Sequence, residues 1–140
     1  MLSGFNQYMT YESISAFTEA LIVRESDSLL LSIAEQYYKA GELSASRQYL
    51  FRIITNSSND EIILKSRILL GNIYLDTEEY DNAIEQFNTV LEKNDNSADA
   101  HYGLGLVYEK QENLVAARAE WRQARKIQPN HAGAVKKLSE

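Results

Sequence analysis

Leu70-Gly71-x-x-Tyr74 and Ala83-x-x-x-Phe87 recur 34 residues later as Leu104-Gly105-x-x-Tyr108 and Ala117-x-x-x-Trp121. In each copy the small and large residues fall at the three- and four-residue steps that share one face of a helix. A repeat of this length holds two helices and their turns. Such a unit cannot bury its apolar face alone, so successive units must stack into an all-α solenoid, an architecture that mostly offers surfaces to other proteins.

Working outward from the clearest copy, Ser97 to Lys110 reads as a helix capped by Ser97 or Asn96, with Leu104, Val107 and Tyr108 on its apolar face. Glu112-Asn113 turns the chain, Leu114 to Lys126 forms the partner helix, and Pro129 ends it. The unit before it runs from Asp60 to Leu75, turns at Asp76 to Glu78, and returns over Tyr80 to Glu92. Asp60 and Asn94-Asp95-Asn96 are expected to satisfy its free helix ends. A third copy upstream is less regular: Ala34-x-x-Tyr37, Gly41 at the turn, then Ser46-x-x-x-Leu50. Its tyrosine lies 37 residues before Tyr74. The three extra residues belong around Thr55 to Asp60, either as a polar loop at Asn56-Ser57-Ser58-Asn59 or as an added helical turn.

Both ends carry half-units. Ser13-x-x-x-Phe17-x-x-Ala20-Leu21 follows the second-helix pattern, and Ala132 to Glu140 starts a first-helix pattern with Val135 and Leu138. The expected organisation is a single domain: an N-terminal half-unit over 1–26, repeats over 27–60, 64–97 and 98–131, and a partial helix over 132–140.

Taken together, Leu-Gly-x-x-Tyr, Ala-x-x-x-aromatic and a closing proline at period 34 resemble the tetratricopeptide repeat (TPR) family. The last unit carries Leu104, Gly105, Tyr108, Ala117, Trp121, Ala124 and Pro129 in register, with His101 in the slot usually held by tryptophan. Arg67 and Asp95 fill the tryptophan and proline slots of the unit before it. The resemblance implies a right-handed α-solenoid of three TPR units with flanking helices. It also implies a non-catalytic scaffold whose first helices line a concave groove. In this register the groove is expected to hold Leu31, Glu35 and Tyr38, then Lys65, Ile68, Asn72 and Leu75, then Asp99, Tyr102, Leu106 and Glu109. Leu31, Ile68 and Leu106 could equally be packing residues between neighbouring first helices. One branch of the family clamps peptide carboxylates with Lys, Asn and Arg. The matching slots here hold Leu31, Glu35, Leu69, Asp99 and Gly103, none of which donates a charged hydrogen bond. The groove suits instead a protein segment with apolar anchors and some positive charge.

Composition narrows the alternatives. One proline and six glycines in 140 residues suit long helices better than a many-stranded sheet. The absence of cysteine removes thiol catalysis, disulfides and cysteine-ligated zinc, and leaves the compartment open. Cytoplasm is the default expectation, and periplasm fits if a targeting segment has been removed. No apolar run approaches the roughly 18 residues of a membrane span. A net charge of −6 disfavours nucleic acid as the partner. Residues 118–140 nevertheless hold six of the 14 basic and only two of the 20 acidic residues. Arg118, Arg122, Arg125 and Lys126 make a basic stripe there, continued by Lys136 and Lys137, which reads as a solvated outer face or a site for an anionic partner. His101 and His131 lack an i,i+4 partner, and the acidic run Asp76, Glu78, Glu79, Asp81 lacks the glycine and distal glutamate of a calcium loop. No metal, cofactor or catalytic constellation is expected. The alternative to groove binding is self-association, in which the end half-units pair with those of another copy.

Overall fold

The computed structural model describes residues 11–140, with side chains described at 14–16 and 26–140. The described residues form seven helices: α1 Tyr11–Lys39, α2 Leu43–Asn56, α3 Asp60–Asp76, α4 Tyr80–Lys93, α5 Ala98–Lys110, α6 Leu114–Ile127 and α7 Ala132–Leu138. The pairs α1/α2, α3/α4 and α5/α6 each pack internally, and each second helix packs on the first helix of the next pair. The result is an α-solenoid, all-helical over the described residues.

Each pair is closed by the same turn. Gly41, Glu78 and Glu112 take positive φ of 81°, 61° and 62°. The following amide of Glu42, Glu79 or Asn113 donates back five residues to the carbonyl of Tyr37, Tyr74 or Tyr108, at 2.9, 2.8 and 2.8 Å. This is a Schellman closure, in which a left-handed residue satisfies the helix's last carbonyls. The repeating tyrosine therefore closes the turn through its backbone as well as packing through its ring.

Between the helices of a pair, a large side chain fills the space opposite a small one. Leu50, Phe87 and Trp121 are all buried, facing the slots of Ala34, Gly71 and Gly105. A Cβ at Gly71 would lie 2.7 Å from the Phe87 ring, and one at Gly105 would overlap the Trp121 indole. The first unit has the smaller Leu50 and accommodates Ala34. Ser46 there replaces the alanine of Ala83 and Ala117, and its buried hydroxyl donates to the Ala34 carbonyl at 2.7 Å. Phe87 also reaches the next pair, since Gly103 of α5 lies against the same ring.

The three extra residues form helix. α2, α4 and α6 each have 14 residues, whereas α3 has 17 against 13 in α5, and its additional turn is at its N-terminus. The connection before it, 57–59, is one residue shorter than 94–97. Asp60 is not the cap expected of it. Asn59 is, its side chain accepting the Ile62 amide at 3.2 Å, which leaves Asp60 and Glu61 in the first turn where the helix dipole favours acid. Ser97 caps α5 by accepting from Ala100, 3.2 Å. At the N-terminal end, residues 11–26 of the stretch expected as a half-unit run without a break into the first helix of the first repeat. The pattern residues Ser13, Phe17, Ala20 and Leu21 have side chains outside the described residues.

Candidate functional site: the concave cleft

The tryptophan slot holds a polar bridge in both complete downstream units. Arg67 of α3 donates to Gln86 of α4 at 2.8 Å, and His101 of α5 meets Glu120 of α6 at 2.7 Å, each pair 19 residues apart. These bridges tie each first helix to its partner on the side opposite the concave face.

On that face Tyr38 of α1, Ile68, Asn72 and Leu75 of α3, and Asp99, Tyr102 and Leu106 of α5 line one cleft of about 430 Å³. Asp76, His131 and Gly133 complete it. The remaining expected groove residues lie elsewhere. Leu31 is buried in the core between helices. Glu35 is exposed outside the cleft, Lys65 is exposed and bridged to Glu61 at 3.2 Å, and Glu109 holds Lys137 at 2.9 Å. Of the three lining residues not foreseen, Gly133 had a signal: it follows Asp99 by one period of 34. Asp76 also had one, lying one helical turn beyond Asn72.

Tyr102 is held on two sides. A Cβ at Gly133 would come within 2.5 Å of its ring, so a side chain there would displace the ring from this position, and the His131 ring lies 5.0 Å away, tilted by 46°. His131 is fixed in turn: its Nδ1 accepts the Ala134 amide at 3.1 Å as the cap of α7, and its Nε2 bonds Asp99 at 2.7 Å. A nitrogen accepting a backbone N–H carries no proton, so the proton is on Nε2 and is donated to Asp99. At the other end of the cleft the Tyr38 hydroxyl donates to Asp76 at 3.1 Å.

Asp76 and Asp99 are the charged side chains of this lining, and neither faces a Lys or Arg across it. The cleft therefore combines apolar walls with negative potential. Burial, and then the Asp76 charge and hydrogen bond, push the Tyr38 phenol from 10.0 to about 12. Because the folded value lies above the unfolded one, the native state holds this proton more tightly, and the associated stability is lost as pH rises above 10. In an alkaline absorbance titration of the nine tyrosines, the last phenol to ionise should vanish in Tyr38→Phe and move to lower pH in Asp76→Asn. A late phenol that persists in Tyr38→Phe would assign it elsewhere.

The basic stripe is not one uniform face. Arg118 is half-buried and donates to the Glu140 carbonyl at 3.3 Å, while Arg122, Arg125 and Lys126 are exposed. Lys137, which the sequence pattern joined to that stripe, turns inward. It bonds Glu109, and its ammonium stands 5.5 Å from the Trp121 ring centroid. The Glu109 hydrogen bond holds its proton more tightly than usual. Among the described residues, no three His, Asp or Glu side chains converge as a metal site would require, and no helix is long and apolar enough to cross a membrane.

Comparison with known proteins follows the same units. A profile described as TPR repeat matches residues 71–112, and one described as tetratricopeptide repeat matches residues 98–131. The chain is similar to the anaphase-promoting complex subunit CDC16 of Saccharomyces cerevisiae, 27% identical over 137 residues, which is 91% of this chain and 16% of that protein. It is also similar to protein bimA of Emericella nidulans, 38% identical over 64 residues, 46% of this chain and 8% of that one. The chain thus spans under a fifth of either relative. Among solved structures, YrrB, a TPR protein with an unusual peptide-binding site, is 26% identical and superposes with a TM-score of 0.71, covering 81% of this chain and 57% of YrrB. Repeated turns, interlocked small and large residues and two matching profiles agree: residues 71–131 are tetratricopeptide repeats, set in an α-solenoid of the same fold.

Proposed function

We propose that the protein is a non-catalytic interaction module that holds a segment of a partner protein in the concave cleft. The observation that carries this reading is the convergence of Ile68, Leu75 and Leu106 with two tyrosines and two aspartates in one cleft of about 430 Å³. Apolar walls favour aliphatic anchors, and Asp76 and Asp99 favour an adjacent Lys or Arg on the occupant. Tyr102 is already locked by Gly133 and His131, so binding costs little further ordering of that ring. The peptide-binding site named for YrrB and the assembly-subunit name of CDC16 point to the same class of role.

The test uses an array of helical and extended peptides that vary anchor and charge, probed with wild type and with Tyr102→Ala/Leu106→Ala. Both residues are only partly buried. The double variant is expected to keep its helical circular dichroism and to lose at least tenfold in affinity for the peptides wild type selects. Peptides with Lys or Arg beside the anchor should lose preference in Asp76→Asn/Asp99→Asn. Equal binding by wild type and the Tyr102/Leu106 variant would move the site off this face.

A further inference from the structure

A second surface lies at the α1 end of the solenoid, away from the concave cleft. Leu29, Ile33, Tyr37 and Tyr49, with Ser32 and Gln36 at their margin, line an apolar groove of about 680 Å³. Tyr37 and Tyr49 stack at 5.7 Å, and Leu29 is 60% exposed. Internal symmetry says what belongs there. Ile33 and Tyr37 occupy the slots of Leu70 and Tyr74, which are only 1% and 8% exposed, and the pair holding those residues is covered by the second helix of the preceding unit, α2. The groove on α1 is thus shaped for a second helix.

The chain carries a sequence for one. Ser13-x-x-x-Phe17-x-x-Ala20 repeats the spacing of Ser46-x-x-x-Leu50-x-x-Ile53, Ala83-x-x-x-Phe87-x-x-Val90 and Ala117-x-x-x-Trp121-x-x-Ala124. Each of those second helices is joined to the next first helix by a break of three or four residues: 57–59, 94–97 and 128–131. Between Leu21 and Ser28 there is no glycine or proline, and α1 runs unbroken through it. A rigid continuous helix cannot double back, so residues 11–26 cannot reach the groove that begins at Leu29 of the same helix.

We propose that the groove is filled by residues 11–26 of a second copy of this chain, in an isologous dimer whose two α1 helices pair antiparallel. A two-fold axis near residue 26 places each 11–26 stretch over the other copy's Leu29-to-Tyr37 stripe. That antiparallel relation is the one a second helix has to the following first helix throughout the stack. This is the exchange of a structural element that a missing turn favours. It uses a face separate from the concave cleft, so either proposal can fail without the other.

The experiment is light scattering with size exclusion on the full chain from a few micromolar to a few hundred micromolar. Wild type is expected to reach twice the monomer mass. Leu29→Glu, which changes an exposed side chain in the monomer, should shift it to monomer with unchanged circular dichroism. The decisive variant inserts the flexible turn Asn-Gly-Ser-Gly after Ser26, letting residues 11–26 fold onto their own groove. It should be monomeric at every concentration, with helix content equal to that of wild type. A wild type that stays monomeric throughout, or a turn-insertion variant that dimerises as wild type does, overturns the proposal.

Discussion

Gly105→Ala is expected to cost about 2 kcal/mol in the native chain, and far less when Trp121→Leu is already in place. An added Cβ at Gly105 overlaps the buried Trp121 indole. Overpacking of this kind costs about 1–3 kcal/mol, and the better helix propensity of alanine returns at most ~1 kcal/mol. The protein already contains the relieved arrangement: in the first unit the equivalent slots are Ala34 and Leu50, both fully buried. The two substitutions should therefore couple strongly in a double-mutant cycle read by urea denaturation. Additive costs would mean that the glycine serves something other than the indole.

The larger effect is expected from Trp121→Ala, at about 3–5 kcal/mol. The other buried members of its cluster are Ala98, Ala117, Ala124 and Ala134, so Trp121 supplies most of the buried side-chain volume there. Tyr102 and Leu106 of the cleft pack against the same cluster. Because solenoid stability is a sum of neighbouring interfaces, the loss should concentrate in α5 to α7, with amide exchange accelerating there more than in α1 to α4. Trp121→Phe should cost far less. Phe87 fills the same slot one unit earlier, and the buried Nε1–H has no partner among the described residues, so its removal strands nothing. Uniform acceleration of exchange along the chain would show that the repeats unfold as one block.

The period, the two regular units and much of the cleft were legible in the sequence because helical periodicity decides both packing and facing. Once Tyr74 and Tyr108 were in register, Ile68, Asn72 and Leu75 had to share a side of α3, and Asp99, Tyr102 and Leu106 a side of α5. Leu31 was ambiguous for a physical reason: an apolar residue on a first helix satisfies a core slot and a groove slot equally well. The place of the three extra residues was open too, since Asn59 serves as readily in a loop as at a cap. The bridges Arg67–Gln86 and His101–Glu120 were visible as a recurrence 19 apart, but polar pairs are too common for that spacing alone to be read as contact. The continuity of α1 could be read only weakly, from a turn that is missing.

Phe87 adds a further consequence. Its ring stands where Gly71 of α3 and Gly103 of α5 lack a Cβ, and those two helices supply most of the cleft. The girth of an acceptable occupant is thus governed by a spacer that the occupant never touches. Specificity can drift in this scaffold through its interior, with every lining residue unchanged.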